Sequence, residues 1–154
     1  MRSVPSHSAS KSAVILLVDD NSDGVMARQS VLEELGYTVL TADCGRKALQ
    51  LVEQQSVDLI ITDYKMLPVN GVELIDRLHK NNVLAPVILL TGFANNLGLS
   101  PANTGASVVL QKSAEELPSL LRHIKRLLQP PKKSARSEAS RKTIARSRAA
   151  GLES

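Results

Sequence analysis

The sequence predicts an α/β fold in which helices cover both faces of a parallel sheet. Five short apolar runs alternate along the chain with segments of helical periodicity, as in βαβ units. The runs are rich in Val, Ile and Leu, which is typical of strands buried on both faces. Acidic residues end the first and third runs, where open α/β sheets place their ligand crevice. Right-handed crossovers then place helices on both faces.

The first βα unit has clear boundaries. Strand one is predicted at Val14–Val18, and capping side chains at residues 21–23 begin a helix that runs to about Leu35. Gly36 ends that helix. Its apolar residues, Val25, Leu32 and Leu35, are spaced to share one face.

The middle of the chain repeats the pattern. Predicted strands and helices alternate here: strand two at Tyr37–Thr41, a helix at Arg46–Glu53, strand three at Val57–Thr62, a helix from Val72 to about Lys80, and strand four at Pro86–Leu90. In the second of these helices, apolar residues recur at three-residue steps, which predicts a buried face.

The last part of the sheet is less regular. Residues 94–105 contain Gly98 and Pro101, which disfavour a long helix, so we expect at most one short helical turn there. Strand five is predicted at Ser107–Leu110. An amphipathic helix at Glu115–Leu128 follows, and two prolines end it.

Polar residues collect where these strands end. Asp19 and Asp20 follow strand one, Asp63 follows strand three, Thr91 follows strand four and Lys112 follows strand five. Carboxyl ends of parallel strands meet at one edge of the sheet, so we expect these side chains to lie close together.

This set of residue types suits one kind of chemistry. Crowded carboxylates repel each other, which raises their pKa values unless a cation pairs with them. Mg²⁺ is a cation that such oxygens bind. A carboxylate can attack phosphorus to give an acyl phosphate, while a lysine and a threonine hold the phosphoryl oxygens. The pattern therefore favours metal-assisted phosphoryl transfer to an aspartate.

Composition and charge limit the alternatives. One cysteine excludes an internal disulfide framework, and one Phe, two Tyr and no Trp argue against stacking on single-stranded nucleic acid. The sequence divides into a flexible leader at residues 1–12, a folded domain at 13–130 and a basic, disordered tail at 131–154. No transmembrane segment or signal peptide is predicted, so we expect a cytoplasmic protein.

The sequence resembles the receiver domains of two-component response regulators, especially the single-domain chemotaxis-regulator type, from about Val14 to Leu128. Each motif is weak alone, but together, in order and at family spacing, they are specific. The motifs are Ile15–Asn21, Asp58–Met66, Asn70-Gly71, Val87–Gly92 and Gln111-Lys112. The resemblance implies a flavodoxin-like (βα)5 doubly wound sheet with strand order 2-1-3-4-5.

The resemblance also implies roles for the strand-end residues. Asp63 would accept a phosphoryl group from a histidine kinase or phosphotransfer protein. Asp20 and Asp63 would bind Mg²⁺ directly, together with the backbone carbonyl of Lys65, and Asp19 would act on it mainly through water. Thr91 would hydrogen-bond the phosphoryl group, and Lys112 would pair with it.

The chain departs from the family pattern in several places. Leu67 intervenes between Met66 and the loop proline, and Gly98 and Pro101 break the fourth helix. Two further departures lie close to Lys112. Val109 stands where the family usually has an aromatic switch residue, and Ser113 stands where it usually has proline. The resemblance therefore implies an intact phosphorylation site but not the usual aromatic switch.

Three functional hypotheses follow. The first is a stand-alone signalling module, without enzymatic activity beyond its own phosphorylation and dephosphorylation, that relays its signal to an unknown downstream protein. The second is a phosphorylation-independent adaptor. The third is nucleic-acid binding, which we expect only through the basic tail.

Overall fold

The structure is a computed structural model that describes residues 12–92 and 98–129. The predicted leader, apart from Ser12, and the predicted basic tail lie outside the described residues, as do residues 94–97 of the irregular segment. The chain boundaries predicted for the domain therefore stay predictions.

Five strands and five helices alternate through the described residues, as the sequence predicts. In chain order they are β1 (Val14–Val18), α1 (Ser22–Glu34), β2 (Thr38–Ala42), α2 (Gly45–Gln54), β3 (Leu59–Asp63), α3 (Gly71–Lys80), β4 (Val87–Thr91), α4 (Pro101–Thr104), β5 (Val108–Gln111) and α5 (Glu116–Leu128). Strand one matches its predicted bounds, and the other strands begin one or two residues later than predicted.

All four strand pairs are parallel, and the sheet order is β2-β1-β3-β4-β5. The predicted flavodoxin-like sheet with order 2-1-3-4-5 is thus confirmed. The register pairs Val18 with Ala42 on one side and with Thr62 on the other. The carboxyl ends of the central strands therefore lie level with each other.

The sheet separates two apolar cores because neighbouring strand residues point to opposite faces. One core joins Leu16 and Ile60 to buried residues of α2 and α3, including Ala48 and Leu74. The other core joins strand residues Ile15, Leu17, Leu59 and Ile61 to Leu32, Leu120 and Ile124 of α1 and α5. Every residue of β3 and β4 is buried, which explains the apolar runs Leu59–Ile61 and Val87–Leu90 within them.

The end of α1 corrects one expectation. Leu35 does not continue the buried face of the helix: it is 57% exposed, whereas Leu32 is fully buried. The helix ends at Glu34, and the amides of Gly36 and Tyr37 donate to the carbonyls of Glu33 and Leu32. These bonds form a Schellman turn with Gly36 at φ 99°, so Leu35 lies at the turn and not on the core-facing side.

The fourth helix is a single short turn, as predicted. Ser100 and Asn103 form a reciprocal capping box at its start, and Gly105 ends it at φ 82°. Within the part of the chain that the structure describes, no helix has the length and apolar character needed to cross a membrane.

Candidate functional site

The strand ends bring the predicted site residues to one edge of the sheet. Asp63 is the last residue of β3 and Thr91 the last of β4. Asp19 and Lys112 come directly after β1 and β5. Backbone hydrogen bonds extend the ladders past the strands: the amide of Asp19 donates to Ala42, and that of Lys112 donates to Thr91 at 2.9 Å. The hydrogen-bonded backbone of the sheet therefore fixes the Cα positions of these residues.

Three carboxylates converge at this edge. Asp19, Asp20 and Asp63 each offer an oxygen, and these oxygens lie within 4.8 Å of one another. Asp19 and Asp63 are buried, at 5% and 6% exposure, whereas Asp20 is exposed. The predicted convergence of acids from two strands is confirmed, and Asp20 gives the cluster a side open to solvent.

Lys112 also lies where the sequence predicts it. Its Nζ is 2.7 Å from Oδ1 of Asp63 and 3.9 Å from Oδ2 of Asp19. The lysine side chain is 32% exposed, so its ammonium stays partly hydrated while it neutralises a buried carboxylate.

Burial raises the pKa of the Asp63 carboxyl above its ordinary value. The hydrogen bond and charge of Lys112 oppose this rise, and the negative charges of Asp19 and Asp20 add to it. A cation that approaches Asp63 therefore stabilises the charged form of this desolvated, crowded carboxylate.

A cavity of about 380 Å³ opens beside Asp63. The residues that line it share the carboxyl edge of the sheet and the loops after β1, β3 and β4: Asp20, Asn21, Asp63, Lys65, Met66, Leu67, Thr91, Gly92 and Lys112. Thr91 is 1% exposed and Lys65 is exposed. The predicted roles of the Thr91 hydroxyl and the Lys65 carbonyl stay predictions, but both residues border the cavity that Asp63 faces.

The acid cluster fits a small divalent cation. Ligand oxygens of octahedral Mg²⁺ lie about 3–4 Å apart, which follows from Mg–O distances of about 2.1 Å. The carboxylate oxygens of Asp19, Asp20 and Asp63 need only a small adjustment from 4.8 Å to reach this spacing. All are hard oxygen donors, and the adjoining cavity has room for water and phosphoryl oxygens.

The loop between β3 and α3 packs closely against the end of β3, next to Asp63. The Leu67–Pro68 peptide bond is cis, and the amide of Gly71 donates to the carbonyl of Tyr64 at 2.8 Å. A Cβ atom at Gly71 would lie 2.5 Å from the carbonyl oxygen of Asp63 and 2.7 Å from Leu89 Cδ1. Glycine therefore allows α3 to begin directly against the end of β3.

The two departures close to Lys112 have local explanations. Val109 is partly buried and packs against the core on the α2 and α3 side of the sheet. Ser113 begins the turn into α5: its hydroxyl accepts from the amide of Glu115 at 3.1 Å, and its carbonyl accepts from Glu116. A serine whose hydroxyl and carbonyl accept hydrogen bonds within the turn before α5 thus takes the place of the usual proline.

Sequence reasoning missed Arg28 of α1. Its guanidinium bonds Asp19 and Glu116 and is mostly buried. Burial lowers the pKa of Arg28, but the hydrogen bonds and charges of Glu116 and Asp19 together raise it above its ordinary value. Its spacing was a usable signal, because Arg28 lies three residues after Val25 and four before Leu32, on the core-facing side of α1.

Known proteins are similar to this chain in sequence and fold. The chain is 36% identical over 77 residues to the alkaline phosphatase synthesis transcriptional regulatory protein PhoP of Bacillus subtilis, a match covering 50% of this chain and 32% of that protein. It is 31% identical over 93 residues to the transcriptional regulatory protein ZraR of Escherichia coli, covering 60% of this chain and 21% of ZraR. The chain therefore spans a third or less of these two relatives.

Solved structures agree. The response regulator TrrA of Thermotoga maritima, in complex with Mg²⁺-BeF, is 29% identical at a TM-score of 0.67, with 75% of this chain and 99% of TrrA covered. The Vibrio cholerae chemotaxis protein CheY4 is 27% identical at a TM-score of 0.69, with 77% and 100% covered.

The family assignment follows from the extent of the match and from the site. The family model described as the response regulator receiver domain matches residues 15–125, which include all three acids, Thr91 and Lys112. The sheet order and the acidic pocket agree with it. The chain belongs to the response regulator receiver domains of two-component signalling systems.

Proposed function

We propose that this protein accepts a phosphoryl group on Asp63, in a Mg²⁺-dependent reaction, from a histidine kinase or phosphotransfer protein. The observation that carries the proposal is the meeting of Asp63 with two further carboxylates and the Lys112 ammonium beside an open cavity. Receiver domains of this family interact with histidine kinases and downstream effectors.

The chemical step uses groups that the site supplies. A carboxylate oxygen of Asp63 forms a bond to the donor phosphorus while the phosphorus–nitrogen bond of a phosphohistidine breaks, and the electron pair stays on the imidazole. Bound Mg²⁺ would supply positive charge to the phosphoryl oxygens, held by Asp20, Asp63 and the Lys65 carbonyl, with Asp19 acting through water.

Lys112 and Thr91 have separate tasks in this proposal. The Lys112 ammonium now pairs with Asp63 and would pair instead with a phosphoryl oxygen once Asp63 is phosphorylated. The Thr91 hydroxyl would donate a hydrogen bond to another oxygen. We propose no reaction on other substrates: the chain takes up the phosphoryl group, loses it by hydrolysis, and signals through contacts with a downstream protein.

Labelling by acetyl phosphate tests the proposal. Intact mass spectrometry should show one added phosphoryl group on the wild-type chain with Mg²⁺, and none after chelation or in Asp63→Asn. Asp76→Asn, an exposed α3 aspartate paired with Lys80, is the matched control and should label normally. An unlabelled wild type, or equal labelling of Asp63→Asn, would contradict the proposal.

A further inference from the structure

Arg28 connects the acid site to the first turn of α5. Its Nη1 lies 3.2 Å from Oδ2 of Asp19, and its Nε lies 2.7 Å from Oε2 of Glu116. The three side chains are 12%, 5% and 13% exposed. Both ion pairs are far less exposed than the lysine–aspartate pairs at the start of α2 and in α3, Lys47–Asp43 and Lys80–Asp76.

Gly24 makes room for this contact. A Cβ atom there would lie 3.1 Å from Nη1 of Arg28 and 3.6 Å from Oδ2 of Asp19. Glycine is less favourable than alanine in a helix. The first turn of α1 thus has a destabilising residue at the position where a side chain would press on the guanidinium.

We propose that Arg28 is a positioning residue that holds Asp19 in competition with the divalent cation, and that Glu116 sets how strongly it does so. The inference rests on the metal-binding part of the proposed function. It adds that the Arg28 guanidinium, which contacts both Asp19 and Glu116, couples metal binding at the acid cluster to the start of α5.

The contacts of Asp19 explain the competition. Its Oδ1 accepts from the amide of Asn21 at 2.9 Å, and its Oδ2 accepts from Arg28, with Lys112 at 3.9 Å. A cation that interacts with Asp19 therefore competes with a guanidinium that is already bound to the same carboxylate. The guanidinium and the divalent cation carry charge of the same sign, so they repel each other at this short range, and salt weakens the repulsion.

Glu116 has the opposite effect. It neutralises part of the guanidinium charge and holds its Nε, so Arg28 shares its bonds between two carboxylates. Without Glu116, Arg28 would pair with Asp19 alone and oppose the cation more strongly. By linkage, a cation that weakens the bond to Asp19 strengthens the bond from Arg28 to Glu116 at the start of α5.

Mg²⁺ titration calorimetry on the full chain tests the inference. Arg28→Met, which keeps an unbranched apolar stem but removes the charge, should lower the Mg²⁺ dissociation constant about three- to tenfold. Glu116→Gln should raise it about threefold. The double variant should match Arg28→Met, because Glu116 acts through Arg28. Arg122→Met, an exposed arginine further along α5, is the control and should bind as wild type.

A charge-keeping variant separates electrostatics from packing. Arg28→Lys should return the dissociation constant most of the way to the wild-type value, and circular dichroism confirms that each variant is folded. If Arg28→Met does not fold, Arg28→Gln, which also removes the charge, replaces it and should lower the Mg²⁺ dissociation constant, whereas Glu116→Gln should raise it.

The outcomes distinguish this inference from the proposed function. A wild-type chain that does not bind Mg²⁺ would overturn the metal site and this inference together. A wild type that binds Mg²⁺ and labels on Asp63, with Arg28→Met unchanged or weaker in affinity, would overturn the role of Arg28 alone. An equal effect of Glu116→Gln with and without Arg28 would also overturn it.

Discussion

The Nζ atom of Lys112 lies 2.7 Å from Oδ1 of Asp63, although the two residues come from strands that are not adjacent. β4 lies between β3 and β5, so the lysine side chain reaches across the end of Thr91 to its partner. The contact places the positive charge where a phosphoryl group on Asp63 would add negative charge.

Replacing Lys112 with methionine should slow phosphorylation without unfolding the protein. The ammonium stabilises charge at Asp63, and loss of such a group from a preorganised site typically slows the reaction about 100-fold. The measurement is the rate of acetyl-phosphate labelling at saturating Mg²⁺. Lys125→Met, on the exposed side of α5, is the matched control. Equal rates in wild type and Lys112→Met would contradict the role of the contact.

Asp63→Asn should stabilise the metal-free protein at neutral pH. Burial raises the folded-state pKa of Asp63, so the folded protein binds more protons than the unfolded chain between the ordinary and raised pKa values. Stability therefore falls as pH rises through that window, and the amide removes this loss. Thermal unfolding with chelator, from roughly pH 4 to 8, should show a difference in melting temperature that shrinks on acidification.

Asp76→Asn serves as the control for this pH effect, because that carboxylate is exposed. A melting temperature of Asp63→Asn below the wild type at neutral pH, or a gap that widens in acid, would show that Asp63 is not destabilised by burial. In the predicted case, added Mg²⁺ should stabilise the wild type more than Asp63→Asn, because the variant lacks one of the carboxylates of the metal site.

Gly71→Ala should destabilise the protein by about 1–3 kcal/mol. The new methyl group would meet the backbone carbonyl of Asp63 at 2.5 Å, and α3 would have to move away from β3. Gly92→Ala is the matched control, since a Cβ atom there meets nothing within 4 Å. Urea unfolding measures both. Equal stability of the two variants would mean that the loop after β3 shifts to accommodate the methyl group at little cost in free energy.

Asn70→Ala should cost about 1 kcal/mol. The Asn70 side chain accepts from the amide of Glu73 at 2.9 Å, and the Glu73 side chain accepts from the Asn70 amide at 3.2 Å. Both bonds satisfy amide groups at the start of α3 that otherwise lack partners. Urea unfolding should show a lower midpoint with an unchanged slope. An unchanged midpoint would mean that water replaces the cap.

Prediction from sequence succeeded where local patterns decide structure. The Val, Ile and Leu runs identify strands because they are buried on both faces, and Asn21 and Gly36 mark the ends of α1 through their own backbone and side-chain chemistry. It failed at Leu35, whose spacing fits the buried face but whose position at the turn exposes it. Periodicity carries no information on which turn of a helix is the last.

Arg28 shows a different limit. Its position on the buried side of α1 is visible in the spacing, but its two partners lie nine residues before it and 88 after it. No local pattern pairs residues so far apart in the chain. Likewise, the distance of Lys112 from Asp63 depends on the order of three strands, which a run of apolar residues does not specify.

The amino-acid sequence by itself determined the α/β class, the strands and helices, and the five polar residues that end the strands, because burial, capping and helix breaking act within a few residues. Only the tertiary structure decided that Lys112 contacts Asp63, that Arg28 joins Asp19 to Glu116, and that Asp63 is desolvated. These relationships depend on strand order and on the packing of α1 and α5 against one face of the sheet, which bring together residues far apart in the chain.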